Sequence, residues 1–167
     1  MAYHNTSMSQ FIPATAMLPI TGTWTEAAGQ VAGTVCKHKA AAAETATVYI
    51  PVKLPSNSVG QIGSMLKSIE VDYEVLVAAC TSVTATLKKI TRGADTAVAV
   101  VTTVTTTQDL AAATSAATVD QHKLIVTVTT PAWIDNDEYY SLELACVAAA
   151  TTQLDILAAV ANFTARA

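Results

Sequence analysis

Between Ile69 and Val77 the chain alternates without interruption: Ile69, Val71, Tyr73, Val75 and Val77 fall on one side, Glu70, Asp72 and Glu74 on the other. A period of two belongs to extended chain, whose successive side chains point to opposite faces; a helix would scatter the same residues around its circumference. The segment is expected to be a strand with one dry and one wet face, and a dry face requires a second layer to cover it. The pattern recurs. In Thr45–Val52, Ala46, Val48, Ile50 and Val52 alternate with Thr45, Thr47, Tyr49 and Pro51. Val83, Ala85 and Leu87 alternate with Thr84, Thr86 and Lys88. Leu124, Val126 and Val128 alternate with Ile125, Thr127 and Thr129, and Tyr140, Leu142, Leu144 and Cys146 with Ser141, Glu143 and Ala145. Val98–Thr106 is β-branched almost throughout, which favours extended chain, and Leu154–Thr164 reads as a last strand. With Val31–Lys39, about eight strands are expected, separated by breakers at Pro55–Gly63, Arg92–Asp95 and Pro131–Asp137. This spacing predicts an all-β fold, a single antiparallel β-sandwich of jelly-roll type.

Three segments stand outside the alternation. Ala-rich Asp109–Ala117 could form a short helix capped by Asp109, and Gly63–Lys67 could open with a helical turn. Residues 1–25 carry no Asp, Glu, Lys or Arg, yet hold Phe11, Ile12, Met17, Leu18, Ile20 and Trp24, while Pro13 and Pro19 block a continuous helix. The expected organisation is an extended N-terminal arm over 1–25 and a β-sandwich domain over 26–167. An apolar arm must be covered, either by its own domain or by a neighbouring chain.

Composition supports one compact domain and removes several classes of function. Hydrophobic residues make up 51% of the 167 and charged residues 13%, about half the charged share of an average soluble domain, so the chain is not intrinsically disordered. Six glycines and five prolines exclude collagen-like and Pro-rich fibres. The net charge is −4, with only Lys88, Lys89 and Arg92 close together, so no basic stripe exists to neutralise phosphates and no nucleic-acid partner is expected. No window approaches the roughly 18 uninterrupted apolar residues of a membrane helix, and the first residues do not read as a signal peptide. Three widely spaced cysteines, Cys36, Cys80 and Cys146, fit buried free thiols made in a reducing cytoplasm.

Candidate chemistry is sparse. Cys36 and His38 share one side of a strand, but no close second pair completes a metal site, so no metal and no cofactor are expected. Asp135, Asn136, Asp137 and Glu138 read as a solvated turn rather than a Ca²⁺ loop. Glu70, Asp72 and Glu74 stand at intervals that could serve a hydrolase, yet any exposed strand face has that spacing. With only His4, His38 and His122 as bases, and neither a Gly-x-Ser-x-Gly elbow nor a phosphate loop, no active site is predicted. Trp24, Trp133, Tyr139 and Tyr140 could build a sugar-stacking platform, with Trp133, Tyr139 and the Pro131–Glu138 loop contacting a host glycan.

A chain with so few charges and an apolar arm is suited to burying surface in an assembly, because interface centres are depleted in charge. Phe11, Ile12, Met17, Leu18 and Ile20 are the candidate interface residues, unless they cover the open end of their own sandwich. The run Val48-Tyr49-Ile50-Pro51-Val52, then Pro55–Gly63 and Ser68–Val77, and the ending Asp137–Leu144, Ala150–Gln153 and a last strand resemble small β-sandwich structural proteins of tailed bacteriophage virions, over about residues 44–164. The resemblance implies a non-enzymatic virion component, either a head decoration (cement) protein or a tail or fibre module. It further implies a homotrimer bound to a major capsid protein or other virion subunit, with the arm making the contact and no catalytic residue to carry over.

Overall fold

The computed structural model describes residues 4–28, 34–55, 57–58, 61–93, 98–110 and 117–166. Among them lie fourteen strands: β1 (Asn5–Pro13), β2 (Leu18–Thr21), β3 (Trp24–Ala28), β4 (Val35–Lys39), β5 (Thr45–Val52), β6 (Asn57–Ser58), β7 (Gln61–Ile62), β8 (Ser64–Leu76), β9 (Ser82–Thr91), β10 (Val100–Thr103), β11 (Thr106–Gln108), β12 (Asp120–Val128), β13 (Glu138–Val147) and β14 (Gln153–Arg166). Twelve of them form two antiparallel sheets that pack as a sandwich. One has five strands in the order β10-β9-β13-β5-β2. The other has seven, in the order β11-β12-β8-β14-β4-β3, with β1 also on β14. The long strands β5, β8, β9, β12, β13 and β14 alternate between the sheets, the crossing habit of a jelly roll. The count exceeds the expected eight because the N-terminal segment supplies strands of its own, because β6 and β7 pair as a separate two-stranded sheet, and because Val98–Thr106 is broken at Val104 and Thr105, where the chain passes from one sheet to the other.

The core is built by the alternation. Ile69, Val71, Tyr73 and Val75 of β8 face Val48, Ile50, Leu87, Leu142 and Leu144 of the opposite sheet, all essentially without solvent exposure. Complete burial of each such side chain is worth about 1.5–3 kcal/mol, which is what sets the register of the long strands. Val77 breaks the pattern: alternation sends it inward, but it is 69% exposed with φ +67°. The β8–β14 ladder ends at Leu76↔Gln153, and the Ala78 N–H then donates to the Leu76 carbonyl (2.8 Å), closing a tight turn that lifts Val77 out as the chain crosses sheets. Gly63–Lys67 is strand rather than helix from Ser64 onward. At the other ambiguous segment, residues 111–116 lie outside the described residues, and the Asp109 carboxylate accepts the Ile125 backbone N–H (2.7 Å) across the β11–β12 connection. Of the expected Val31–Lys39 strand, Val35–Lys39 is formed and 31–33 lie outside the described residues.

The N-terminal segment is extended and lies along its own sandwich. β1 pairs with β14 over nine positions, Asn5↔Arg166 to Pro13↔Ala158. The 3₁₀ turn Ala14–Ala16 then carries the chain to the other sheet, where β2 pairs with β5. The division expected between 25 and 26 falls inside β3.

Two left-handed positions give opposite predictions. Gly22 has φ +88°, and a Cβ there would stand 2.7 Å from Ala46 Cβ, so Gly22→Ala is expected to cost about 2 kcal/mol or more. Val77→Gly relieves a β-branched residue of positive φ in an open position and is expected to add about 0.5–1 kcal/mol. Urea denaturation of the two variants beside the parent measures both.

Candidate functional site

The outer face of the five-stranded sheet carries a groove of about 330 Å³ lined by Leu18, Tyr49, Pro51, Lys88, Ile90, Val101, Tyr139 and Ser141. These side chains come from all five strands and alternate with the buried rows, so the register that builds the core also builds the groove. Leu18 pairs with Tyr49, Pro51 with Ser141, Ser141 with Lys88, and Tyr139 with Ile90, which pairs in turn with Val101. Lys88 forms an ion pair with Glu143 and sits over the Tyr49 ring, 5.5 Å from its centroid. The hydrogen bond to Glu143 raises the Lys88 pKa, so the cation is fixed beside the ring. The groove therefore offers apolar and aromatic surface, a held charge pair and the hydroxyls of Ser141 and the two tyrosines.

Of the residues singled out from sequence, Leu18 and Tyr139 meet in this groove. Trp133 is elsewhere: it bridges to Met65, and the Arg166 guanidinium lies 4.2 Å from its ring centroid, at the far end of the β8–β14 ladder. Tyr140 is core, and Trp24 is half-buried with its Nε1 donating to the Thr21 carbonyl. Ile12 and Met17 are buried at 3% and 1% exposure in the core of their own sandwich, whereas Phe11, Leu18 and Ile20 remain at least half exposed. Phe11 lies on the outer face of the other sheet, beside Val35, Leu157 and Ala158. Tyr49 and the Lys88–Glu143 pair were not singled out beforehand. Their outward register was visible, but nothing local shows that they stand side by side on β5, β9 and β13.

The other candidates disperse. His38 Nδ1 donates to the Asp155 carboxylate at 2.6 Å, and burial, then Asp155, push the Cys36 thiol up to about 11. Cys80 and Cys146 lie together in the core, apart from Cys36. Among the described residues no group of three or more His, Cys, Asp or Glu is placed to hold a metal ion. On the outer face of the seven-stranded sheet Glu70 accepts from Lys123 and Asn162, and His122 donates to the Thr118 carbonyl. Asp135–Glu138 is a turn, closed by the Glu138 N–H on the Asp135 carbonyl (3.2 Å).

No family model matches the sequence, and no curated protein matches it. Among solved structures the chain is similar to the CBM22-1 and GH10 modules of the N-terminal Clostridium thermocellum endo-1,4-β-D-xylanase 10B complexed with xylohexaose, with 9% identity and a TM-score of 0.45. The match covers 90% of this chain and 26% of that one, so the chain spans about a quarter of the protein it matches. A likeness at this level transfers no function.

One ion pair on the opposite face of β9 and β13 from the groove is testable. Lys89 bonds Glu138 at 2.6 Å. Burial alone would raise the Glu138 carboxyl, but Lys89, the Asp135 N–H and the Thr91 hydroxyl together hold it below its ordinary 4.5. A depressed carboxylate stabilises the fold above its unfolded pKa, and that stability is lost as pH falls through the folded value. Glu138→Gln is expected to cost about 0.5–1 kcal/mol at pH 7 and less at about pH 3, below the ordinary carboxyl value. Denaturation curves of both proteins at the two pH values check it.

Proposed function

We propose that this chain is a non-enzymatic structural subunit, working through contacts with further copies of itself and with a neighbouring shell protein, as in a capsid decoration (cement) protein of a virus particle. The observation that carries the reading is the state of the five-stranded sheet's two edges. β2 (Leu-Pro-Ile-Thr) and β10 (Val-Val-Thr-Thr) are exposed at every position and carry no charge. Leu18, Ile20, Val100 and Val101 are each at least 50% exposed. Soluble monomers ordinarily blunt such edges with charge, as β3 does here with Glu26 paired to Lys37 of β4. Two unlike edges on opposite sides of one sheet suit a head-to-tail contact, which closes into a ring such as a trimer when the rotation allows.

Deleting the N-terminal segment would strip β1 from β14 and remove Ile12 and Met17 from the core, so charge is the better probe. Light scattering is expected to give a closed oligomer for the full chain and a folded monomer for Val100→Lys/Val101→Lys. A monodisperse monomer for the unsubstituted chain at micromolar concentration would sink self-assembly. The groove favours a second reading, a fibre or adhesin module that binds a glycan through Tyr139 and Tyr49, whose rings could stack on a sugar while Lys88, Glu143 and Ser141 meet its hydroxyls. On a glycan array that reading predicts saturable binding abolished by Tyr139→Ala and kept by Trp133→Ala.

A further inference from the structure

Two of the three cysteines lie in contact inside the core. Cys80 Sγ and Cys146 Sγ are 2.9 Å apart, and both residues are buried, at 7% and 1% exposure. Non-bonded heavy atoms rest at roughly 3.5–4.0 Å, whereas the sulfurs of a disulfide are about 2.05 Å apart. The two thiols therefore need to approach by less than about 1 Å.

The backbone holds them in place. Cys146 is locked in β13 between Val83 of β9 and Ala46 of β5. Cys80 sits in the β8–β9 loop, where its own N–H donates to the Ala117 carbonyl (2.9 Å) and the Thr81 N–H to the Val147 carbonyl (2.7 Å). The Ala79 carbonyl accepts the Thr152 hydroxyl. We propose that Cys80 and Cys146 are a redox pair, closing to a disulfide that ties the β8–β9 loop to β13 when the protein meets a small-molecule disulfide oxidant of the glutathione type.

The chemistry is two thiol–disulfide exchanges. The Cys80 thiolate attacks one sulfur of the oxidant, forming a mixed disulfide and expelling one thiolate. The Cys146 sulfur, giving up its proton, then attacks the Cys80 sulfur and expels the second. Two protein thiols are oxidised, the oxidant's disulfide is reduced to two thiols, and the two protons leave on those thiols. Cys80 is the attacking group on position and on charge. It is on the loop, and the hydrogen bond from Cys146 lowers its pKa while holding that proton raises Cys146. Cys36 is an internal control, a buried thiol bonded to the Ala27 carbonyl (3.6 Å) with its pKa pushed up to about 11. The bridge would join residues 66 apart, spanning β9 to β13, so it would constrain most of the second half of the unfolded chain. The inference is independent of the assembly reading. It bears equally on any setting in which the chain folds reduced and later meets an oxidising medium.

The experiment refolds the full chain from urea in a buffer of oxidised and reduced glutathione, which removes any barrier from burial. The products are then read by intact mass, non-reducing peptide mapping and thermal melting. The expected result is the loss of two hydrogens, a single crosslinked peptide pair containing Cys80 and Cys146, and a melting temperature higher than that of the dithiothreitol-treated protein by about 5–10 °C. Cys80→Ala and Cys146→Ala should each show no difference between oxidised and reduced samples, whatever their own stability, while Cys36→Ala should behave as the parent. Three alkylatable thiols after refolding, stable glutathione adducts, or a bridge that includes Cys36 would each overturn the proposal.

Discussion

The fold rests on one ladder, the antiparallel pairing of β8 with β14 in the middle of the seven-stranded sheet. These are the longest strands, 13 and 14 residues, and they run together from Leu76↔Gln153 to Ser64↔Ala165. Such a length cannot stay flat, and two bulges absorb the twist. At the first, Leu157 and Ala158 both face outward between inward Ile156 and Ala159. At the second, Lys67 and Ser68 of β8 do the same between Leu66 and Ile69. One bulge lies on each strand, so the inward rows come back into step. β12 then adds to the free edge of β8, and β4 and β1 share the free edge of β14 end to end. Every other element of that sheet takes its position from this pair.

The end of the sandwich where β4 turns into β5 is held by polar groups. Lys39 is fully buried, yet its ammonium donates to the carbonyls of Ala40, Ala42 and Thr152 and lies 3.6 Å from Glu44. Glu44 in turn accepts the Thr23 N–H. A buried cation is tolerable only when its donors are met, and here meeting them joins three loops from three parts of the sequence. The same loops surround Gly22 and Thr152, so close backbone packing and buried charge coincide at this end.

How far these features could be read beforehand follows from their range. Inward rows on β5, β8, β9, β12 and β13 were legible because a single buried face forces strict alternation. β14 was legible as a strand, but not its faces: continuing the alternation from Leu154 and Ile156 would bury Ala158 and Val160, and the bulge at Leu157 buries Ala159 and Ala161 instead. Val77 was misread for a related reason, since local pattern does not register where a ladder loses its partner. The N-terminal segment was legible as extended and in need of cover. That Ile12 and Met17 belong to its own core while Phe11 and Leu18 do not depends on pairing with β14 and β5, more than 140 residues and about 30 residues away in sequence. The groove was the least legible feature, because its side chains come from five strands whose order only the folded topology fixes.

The proposed assembly places a particular demand on the two bare edges of the five-stranded sheet. Unlike edges that meet head to tail generate an open fibre unless the rotation between copies closes them, and two flat edges pairing as a continuous sheet would favour the fibre. β2 is not a free template of that kind. Pro19 lacks an N–H, and the register of β2 on β5 shifts between Pro19 and Thr21. A copy approaching β2 therefore meets Leu18 and Ile20 as side chains more than it meets a ladder of hydrogen bonds, while the β10 edge, free of proline, presents Val100 and Val101 in regular strand. Contact through side chains permits a large turn between neighbouring sheets, which is the condition for a closed ring of few subunits. In the proposed assembly, the absence of charge on these strands and the proline within one of them would serve one end, to allow association and limit its extent.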